Sequence, residues 1–445
     1  MRDSIKTAFV REISLARAAY KNGLFKEAFT HLERAHILSQ PNFSAHWRTH
    51  WWMLKIGLRL CDFREIIGQL LRLAATIPGY VFGWVPLGNT GGSNVSALQP
   101  MPIPDDLNRL IGQYNVWRDV RKRLYTVLAG SFIVAGLLGA AHIRHLQLSM
   151  QIEDQWKASS YDQVRNLGTV SELEITPVVN WSAGEGDFKT EPGVSYFIKT
   201  ERQTILFDLG FNQHEQTPSP LEHNLSTLGI DQNDIDTIFI SHAHRDHVGG
   251  VAWEQAGSFS LGQEQADLSN KKIYTPVTLT YPSNKPVVIS KPTVLSQGIA
   301  STGPIARQLF IGRIDEQALV INLKNKGLVL LVGCGHQTLD RLLALIDAVF
   351  EEPLYAIVGD LHYPVPEGRL HIAGVDVQRR LASGGGPFKR LGEHDVEAFA
   401  NTVDRAVRFI ALGGHDTSDE VLERMQNRLK ERFQAVRVGE QISIL

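Results

Sequence analysis

The sequence predicts a mixed α/β fold for the C-terminal part of the chain, preceded by an all-α domain and a transmembrane helix. Three observations support this prediction. The N-terminal region has apolar residues at helical spacing, one later segment is apolar and uncharged, and short β-rich runs begin at Leu173. The predicted domains are a helical domain at 1–117, a transmembrane helix with its basic flank at 118–147, a linker at 148–170, and an α/β domain at 171–445.

Length and composition indicate a folded protein of two or three domains. The chain has 445 residues, of which 43% are hydrophobic and 21% are charged, so disorder throughout is excluded. The formal net charge of -2 gives no reason to expect a nucleic-acid partner. Only two cysteines are present, Cys61 and Cys334, so there is no disulfide framework from which to infer the compartment.

The N-terminal region is predicted to be helical. AFVREISLARAAY and FKEAFTHLERAHIL have apolar residues at i, i+3 and i+4, with Lys21-Asn22-Gly23 as the turn between them. A third helix is predicted from about Ser44 to Leu60, and the stretch after Pro78 is predicted to be a loop. The first helix pair resembles a tetratricopeptide hairpin, but no second copy follows at the required period.

The membrane prediction depends on an apolar segment. Leu124 to Ala141 contains no charged residue, and Ile143 extends the stretch to the length that crosses a bilayer. The preceding basic residues are Arg118, Arg121, Lys122 and Arg123. By the positive-inside rule, the N-terminal domain is then cytoplasmic and the C-terminal domain extracytoplasmic. A buried core helix is the alternative.

The C-terminal region contains seven candidate strands and, between some of them, candidate helices such as HQTLDRLLALIDAVF. The strands are SYFIKT, TILFDLG, TIFIS, ALVINL, GLVLLVG, LYAIVGD and RFIALGG. Mixed strands and helices in this order predict layered sheets.

A cluster of histidines follows one of these strands. F-I-S-H-A-H-R-D-H contains His242, His244, Asp246 and His247 directly after an apolar run that ends at Ser241. Imidazole and carboxylate are ligands of zinc, iron and manganese, and loops at strand ends commonly carry reactive groups. The cluster predicts a site for two metal ions. A solvated, histidine-rich loop is the alternative.

The residues around this cluster resemble a known family. EPGVSYFIKTERQTILFDLG, SHAHRDHVGG and DEQALVINLKNKGLVLLVGCGHQTLD are similar to one branch of the metallo-β-lactamase superfamily, the group around dihydropterin-ribofuranosylaminobenzene phosphate synthase. The resemblance runs from about residue 173 to the C terminus. It implies a four-layer αββα sandwich and a metal-dependent hydrolase with two divalent ions. Zinc is the expected metal, with iron and manganese as alternatives.

The resemblance also implies further ligands. His336 in G-C-G-H and His415 in A-L-G-G-H-D-T match histidines of the family. Asp360 is a candidate for the bridging carboxylate, although this branch has glycine there and histidine two places on, which favours His362. Cys334 stands where some members have a metal-binding cysteine. The chain departs from the branch in two places, with D-L-G for D-T-G and H-D-T-S for H-C-T-G.

Two carboxylates are expected to have other roles. The resemblance implies that Asp208 hydrogen-bonds the metal loop rather than binding metal, and the alternative is a turn aspartate that caps the next segment. Asp246 is the candidate catalytic residue, since it, or alternatively the bridging carboxylate, could pass a proton to the leaving group. Lys389 and Arg390, in GGGPFKR, could contact a phosphate or lie in a flexible loop.

The expected activity is hydrolysis of a small phosphoester, phosphodiester, lactone or thioester by metal-activated water. Two alternatives remain open. The metal-binding domain could be a sensor without turnover, or the chain could be a scaffold whose helical domain recruits a protein partner.

The N-terminal domain contains its own histidines, which are His31, His36, His46 and His50. Glu33 and His36 share a helical face at i, i+3, His46 and His50 do so at i, i+4, and Glu65 could contribute from another helix. Either a metal or cofactor site or hydrogen bonding inside a tryptophan-rich core would explain them. AFVREI, HLERAHILSQ, HWRTHWWML and GNTGGSNV resemble an uncharacterised bacterial domain family over about residues 5–108. The loop Gly88–Gly92 is either an anion site or a tight turn.

Overall fold

A computed structural model describes residues 2–112 and 116–444 of the chain. The chain divides into two compact units, Met1–Leu138 (the first unit) and Gly139–Leu445 (the second unit). The domain boundaries predicted from the sequence stay a prediction.

The described part of the first unit is helical. Its helices are α1 Asp3–Lys21, α2 Phe25–Ser39, α3 Phe43–Leu60, α4 Phe63–Phe82 and α5 Asp105–Ile111. Side-chain caps begin two of them, because Asn42 accepts a hydrogen bond from the Ala45 amide and Asp62 accepts one from the Glu65 amide. The apolar faces of α1, α2 and α3 form one core around Phe9, Leu32 and Met53.

The prediction of a loop directly after Pro78 is wrong, because α4 continues to Phe82 and ends at Gly83. Pro78 lacks the amide that would bond to the Ala74 carbonyl. Since the helix ends one turn later, the proline removes a single hydrogen bond, and the helix tolerates this loss.

A long helix, α6 Val116–Ala158, follows the first five helices. Its 43 residues make it about 65 Å long. The segment Trp117–Ala158 is long and apolar enough to cross a membrane, and no part of its most apolar 18-residue window is buried. Phe132 is 75% exposed and Leu137 is 67% exposed. The predicted linker, 148–170, begins as the continuation of this helix.

The second unit contains two large sheets and two short ribbons within the described residues. The six-stranded sheet has the order β1-β2-β3-β4-β5-β6, with β1 Leu173–Val179, β2 Ser195–Thr200, β3 Thr204–Phe207, β4 Thr237–Phe239, β5 Lys272–Thr275 and β6 Val287–Val288. The seven-stranded sheet consists of β7 Thr293–Ser296, β8 Ile299–Ser301, β11 Leu319–Leu323, β12 Gly327–Val332, β13 Leu354–Gly359, β16 Phe409–Leu412 and β17 Phe433–Ala435, in the order β17-β16-β13-β12-β11-β8-β7. The ribbons are β9 Ile305–Leu309 with β10 Gly312–Glu316, and β14 His371–Ile372 with β15 Val375–Asp376. All seven strands predicted from the sequence are present.

Helices cover the outer faces of the two sheets. These are α7 Pro220–Thr227 on the six-stranded sheet, and α9 Leu339–Val349, α11 Glu393–Ala406 and α12 Asp419–Leu429 on the seven-stranded sheet. Two shorter helices, α8 Val251–Ala256 and α10 Val377–Leu381, lie in the connecting segments. Two short 3₁₀ helices, Gln232–Asp234 and Lys430–Arg432, lie among the loops.

The alternation of side chains along the strands explains the layers. In β12, Val329 and Leu331 pack against Phe207 of the six-stranded sheet, whereas Leu328 and Leu330 pack with the helices on the other face. A third apolar cluster joins the six-stranded sheet to α7. The second unit is therefore a helix–sheet–sheet–helix sandwich, as the sequence predicted.

This sandwich brings several loops to the same edge. β3 and β4 run parallel in one sheet, and β12, β13 and β16 run parallel in the other. Their carboxyl ends lead into the segments 208–210, 241–250, 333–337, 360–363 and 413–418. Every ligand candidate of the second unit lies in these segments.

Candidate metal centre

One group of potential ligands consists of His242, His244 and His336. One ligand atom from each lies within 4.8 Å of those of the other two. His242 is fully buried, and its Nδ1 lies 3.0 Å from the hydroxyl of Ser241. His336 comes from the segment after β12, in the opposite sheet. The structure thus brings residues from two sheets together here.

A second group consists of Asp246, His247, Cys334 and His415, whose ligand atoms also lie within 4.8 Å of one another. The Nε2 of His415 lies 2.9 Å from Asp246 Oδ2, and the Nε2 of His247 lies 2.9 Å from the sulfur of Cys334. The rings of His242 and His247 are 3.9 Å apart between centroids, so the two groups adjoin.

The nitrogens of these histidines fit a metal. His242 Nε2, His336 Nδ1 and His415 Nδ1 are buried and lack a hydrogen-bond partner within the described residues. A buried nitrogen without a partner costs about 1–3 kcal/mol, which coordination to a cation would offset. Imidazole, carboxylate and thiolate together are donors that divalent zinc accepts.

Asp208 lies where the predicted supporting role requires. Its Oδ1 accepts a hydrogen bond from the Ser241 amide at 2.7 Å, and its Oδ2 lies 2.6 Å from the Ser241 hydroxyl and 2.7 Å from His247 Nδ1. With Nδ1 engaged by Asp208, the Nε2 of His247 is left to face Cys334 and Asp246. This is the arrangement by which a carboxylate orients a metal-binding imidazole.

Asp360 and His362 do not belong to the groups that converge in the described part of the chain. Asp360 accepts a hydrogen bond from the Asp416 amide at 3.2 Å and lies 3.5 Å from the side-chain amide of Asn180. His362 has a left-handed backbone, with φ of 57°, and places Nδ1 3.0 Å from Asp416 Oδ2. Its Nε2 lies 3.2 Å from the hydroxyl of Ser383. Both residues contact Asp416, and their ligand roles stay predictions.

Asp416 is a residue that the sequence interpretation missed. With Cys334 and His336 it forms a third convergent group, and its Oδ1 lies 3.9 Å from His415 Nε2. In the sequence it was noted only as a departure, the aspartate in H-D-T-S. An acidic residue beside a predicted ligand was the signal that could have identified it.

Glu316 was also missed, although it lies inside the stretch DEQALVINL that supported the resemblance. Its carboxylate is fully buried and accepts hydrogen bonds from the amides of Cys334, Gly335 and His336, at 3.0, 3.0 and 2.7 Å. Burial raises the pKa of Glu316 to about 7. Glu316 thereby fixes the loop that presents Cys334 and His336.

The negative charges at the centre favour the binding of a cation. Burial alone would raise the pKa of Asp246, but His247 and His415 hold it well below its usual range. Burial alone would lower the pKa of His415, but Asp416 and Asp246 raise it to about 10. Two ionised carboxylates beside one imidazole attract positive charge, and a divalent ion would supply it.

A small pocket of about 50 Å³ adjoins the centre and is lined by Arg307, His336, His362, Tyr363 and Ser383, among others. The guanidinium of Arg307 donates to the Ser383 carbonyl at 3.1 Å, and no carboxylate of the described residues lies within ion-pair distance of it. Burial lowers the pKa of Arg307 to about 10. Arg307 thus gives the pocket a cationic wall without a directly paired carboxylate among the described residues, and the charge of Glu153 acts on it from farther away.

Two family models match the chain. Residues 189–256 match the Metallo-beta-lactamase superfamily, and residues 3–111 match a protein family of unknown function, DUF3703. Both resemblances stated from the sequence are confirmed, and the second match nearly coincides with the range expected for the uncharacterised family. The similarity to the superfamily model therefore lies in residues 189–256, within the second unit.

One curated relative is the 7,8-dihydropterin-6-methyl-4-(beta-D-ribofuranosyl)-aminobenzene-5'-phosphate synthase of Methanocaldococcus jannaschii. It is 32% identical over 91 residues, which span 19% of this chain and 29% of the relative. The chain therefore matches less than a third of that protein's length.

Solved structures with a similar chain course include Tm1679, a metal-dependent hydrolase of the beta-lactamase superfamily. It is 18% identical, with a TM-score of 0.42, and the match covers 61% of this chain and 99% of that one. The short form of human tRNase Z is 14% identical, with a TM-score of 0.36 and coverage of 61% and 99%. A quorum-quenching N-acyl homoserine lactone lactonase is 20% identical, with a TM-score of 0.25 and coverage of 37% and 73%.

Proposed function

We propose that the second unit is a metal-dependent hydrolase that holds two divalent cations and cleaves a small ester. One observation carries the proposal: His336 and His415, far along the chain from the histidine cluster, have ligand atoms within 4.8 Å of those of its members. Zinc is the expected metal, and iron and manganese suit the same ligands.

The two cations would be held by separate groups. His242, His244 and His336 would hold one, and Asp246, His247 and His415 would hold the other, with Cys334 or Asp416 as an additional ligand. When bound, such ions lower the pKa of water and stabilise negative charge that develops on oxygen.

The chain's own residues prepare this chemistry. Asp208 selects the tautomer of His247, and Glu316 holds the loop that carries His336. The side chain of Asp246 is 22% exposed, unlike the fully buried His247, so it can meet a substrate. We assign to Asp246 the relay of a proton: its ionised carboxylate would accept the proton released by the attacking water and donate it to the leaving group.

The position of Arg307 supports an anionic substrate. Phosphoesters and phosphodiesters are therefore better candidates than neutral lactones and thioesters. The Arg307 guanidinium lines the same pocket as His336 and has no carboxylate partner among the described residues. A phosphate oxygen is the group that a buried guanidinium without a directly paired carboxylate binds best, since a charge-assisted hydrogen bond forms without competing water.

The apolar part of α6 supports membrane anchoring. A soluble core helix would bury its apolar face, whereas none of the most apolar window of α6 is buried. We propose a single span through residues 124–143. The basic residues before it favour a cytoplasmic first unit and an extracytoplasmic second unit.

The test is a hydrolysis screen with the full chain in detergent, loaded with zinc, against phosphomonoesters, phosphodiesters, lactones and thioesters. Wild type should cleave at least one class, and Asp246→Asn should reduce kcat at least 100-fold. Arg307→Gln should reduce kcat/KM about 10–100-fold for anionic substrates, from the loss of one charge-assisted hydrogen bond, and leave neutral ones nearly unchanged.

Arg313→Gln is the matched control, because the Arg313 side chain is exposed on β10, the strand paired with that of Arg307, and pairs with Asp315 at 2.7 Å. Metal-loaded wild type that cleaves no class would favour the non-catalytic sensor. If Arg307→Gln reduced kcat/KM equally for anionic and neutral substrates, the preference for anionic substrates would be rejected, whereas the proposed hydrolase activity would stand.

A further inference from the structure

Three histidines converge in the first unit, away from the centre described above. His36 lies on α2, and His46 and His50 lie one turn apart on α3. The Nε2 atoms are 2.7 Å apart for His36 and His46, 3.1 Å for His46 and His50, and 3.2 Å for His36 and His50. All three rings thus direct the same nitrogen to a single point.

Hydrogen bonds at the opposite side of two rings fix their tautomers. His36 Nδ1 lies 2.8 Å from the Asn89 carbonyl, and His50 Nδ1 lies 2.7 Å from Gln69 Oε1. Both partners are acceptors, so each ring keeps its proton at Nδ1. The orientation of the Gln69 amide is determined as well, since its Nε2 donates to Glu65 Oε1 at 2.6 Å and to the Gly91 carbonyl at 2.8 Å.

This arrangement leaves lone pairs facing one another. With protons at Nδ1, the Nε2 atoms of His36 and His50 are both acceptors at 3.2 Å, with no proton between them. His46 can donate a single N–H, which cannot satisfy both.

Hydrogen bonding inside a tryptophan-rich core, the alternative from the sequence, does not describe this cluster. Trp47 and Trp51 are 39% and 42% exposed and stack on each other at 5.9 Å between ring centroids. His36 and His50 are 2% and 4% exposed. Trp47 and Trp51 therefore lie at the surface, and Trp52 packs against the core of α1 and α2, whereas His36 and His50 are buried.

The surrounding residues support the three rings as they would support metal ligands. Glu65 accepts from Gln69 through one oxygen and from the Ser93 amide through the other, at 2.9 Å. Gly91 has φ of 85°, and a Cβ there would lie 2.7 Å from the ring of His36. The loop Gly88–Gly92 is thus a close-packed turn that orients His36, rather than an anion site.

We propose that His36, His46 and His50 bind one divalent transition-metal ion, with zinc as the expected occupant. Nitrogens bound to one tetrahedral zinc lie about 3.3 Å apart, close to the observed spacings. The outer hydrogen bonds from Asn89 and Gln69 provide the tautomers that such ligation requires. Glu33 and His31, which the sequence also suggested, are not among the three converging ligands.

The fourth ligand comes from outside this triad. The three rings also line a pocket of about 230 Å³, together with Arg72, Tyr80 and Trp84, among others. Three protein ligands with an open fourth position are typical of zinc sites that bind water or substrate, whereas purely structural sites are closed by four protein ligands. Arg72 lies on the wall of this pocket and donates to the carbonyls of Gly91, Gly92 and Val95, so it holds the loop beside the triad.

The experiment measures metal per chain by mass spectrometry on the full-length protein in detergent, after zinc loading and gel filtration. His46→Gln and His50→Gln should each lose one equivalent relative to wild type. His31→Gln is the matched control, because His31 pairs with Glu12 on the neighbouring helix and should keep wild-type content. Folded His46→Gln and His50→Gln variants with unchanged zinc would overturn the proposal.

A second measurement keeps the triad intact in case these variants unfold. The double variant His242→Asn, His415→Asn disables the centre in the second unit. Failure of the triad to bind metal can then be told apart from failure of the proposed hydrolase. Titration with Co²⁺ should still give the strong visible absorption of four-coordinate cobalt, and adding His50→Gln should abolish it. A double variant that shows circular dichroism of folded protein but no such absorption would also reject the site.

Discussion

At His247, one hydrogen bond decides which ring nitrogen is available to a cation. Asp208 is fully buried and holds Nδ1 at 2.7 Å, and it also binds the backbone and side chain of Ser241. An unusual backbone accompanies this position, since Asp208 has φ of 56°. The strain is tolerated because three hydrogen bonds hold the carboxylate in place.

Asp208→Asn should therefore weaken metal binding without removing any ligand. The amide is neutral and offers one acceptor oxygen where the carboxylate offers two, so His247 and Ser241 compete for it. Loss of such a partner reduces metal affinity by about 10–100-fold. Competition with a chromogenic chelator measures the change, and Asp267→Asn, at an exposed surface position, is the control. Equal affinities for the two variants would contradict the role of Asp208.

The residues predicted from the sequence lie close together along the chain, whereas those that were missed meet the site only in the folded structure. His242, His244, Asp246 and His247 are close in sequence, so their pattern alone predicted a site. Asp416 and Glu316 act through contacts that exist only after strands of the second sheet are paired. The spacing of Glu316 carries no signal, and for Asp416 the one signal was its position next to His415, because this chain departs from the family pattern there.

At the scale of elements, the loop after β12 shows how the fold constrains the site. Gly335 has φ of 78°, and a Cβ there would lie 2.6 Å from Leu361 Cα. The loop needs glycine for its backbone conformation and also for its close approach to the segment after β13. Glu316 then fixes the amides on both sides.

Gly335→Ala should destabilise the protein by more than backbone strain alone. Gly229→Ala is the matched control, because Gly229 also has positive φ, at 69°, but open space around its Cβ position. We expect Gly229→Ala to cost about 1 kcal/mol of unfolding free energy and Gly335→Ala about 2 kcal/mol more, with reduced zinc content only in the latter. Denaturant unfolding and metal analysis measure both. Similar losses for both would show that the loop has room to adjust.

Strand positions were predictable because each depends on local β-rich runs bounded by turns. The end of α4 was not, since Pro78 predicted a stop that the last helical turn tolerates. The length of α6 beyond the apolar segment was not predicted either, because a polar sequence such as 144–158 is compatible with both a stalk and a helix.

At the scale of the whole molecule, membrane topology can be tested with the native cysteines. Cys61 is exposed in the first unit, and Cys334 is buried in the second. A membrane-impermeant maleimide should therefore label Cys61 only after cells are permeabilised, if the first unit is cytoplasmic. Ser269→Cys, at an exposed position of the second unit, should be labelled in intact cells. Labelling of Cys61 in intact cells would reverse the orientation.

The two units bring together different sets of potential metal ligands. Histidines, carboxylates and one thiol converge in the second unit, whereas three imidazoles with neutral hydrogen-bond partners converge in the first. Family resemblance suggested only the former. For the latter, the i, i+4 spacing of His46 and His50 already indicated a site, whereas their convergence with His36 depends on contacts among α2, α3, α4 and the Gly88–Gly92 loop.

Anomalous X-ray diffraction at the zinc edge, from crystals of the zinc-loaded protein, tests the central claim most directly. We expect two peaks in the second unit, one among His242, His244 and His336 and the other among Asp246, His247 and His415. No peak at these positions, or His336 and His415 turned away from every peak, would contradict the account.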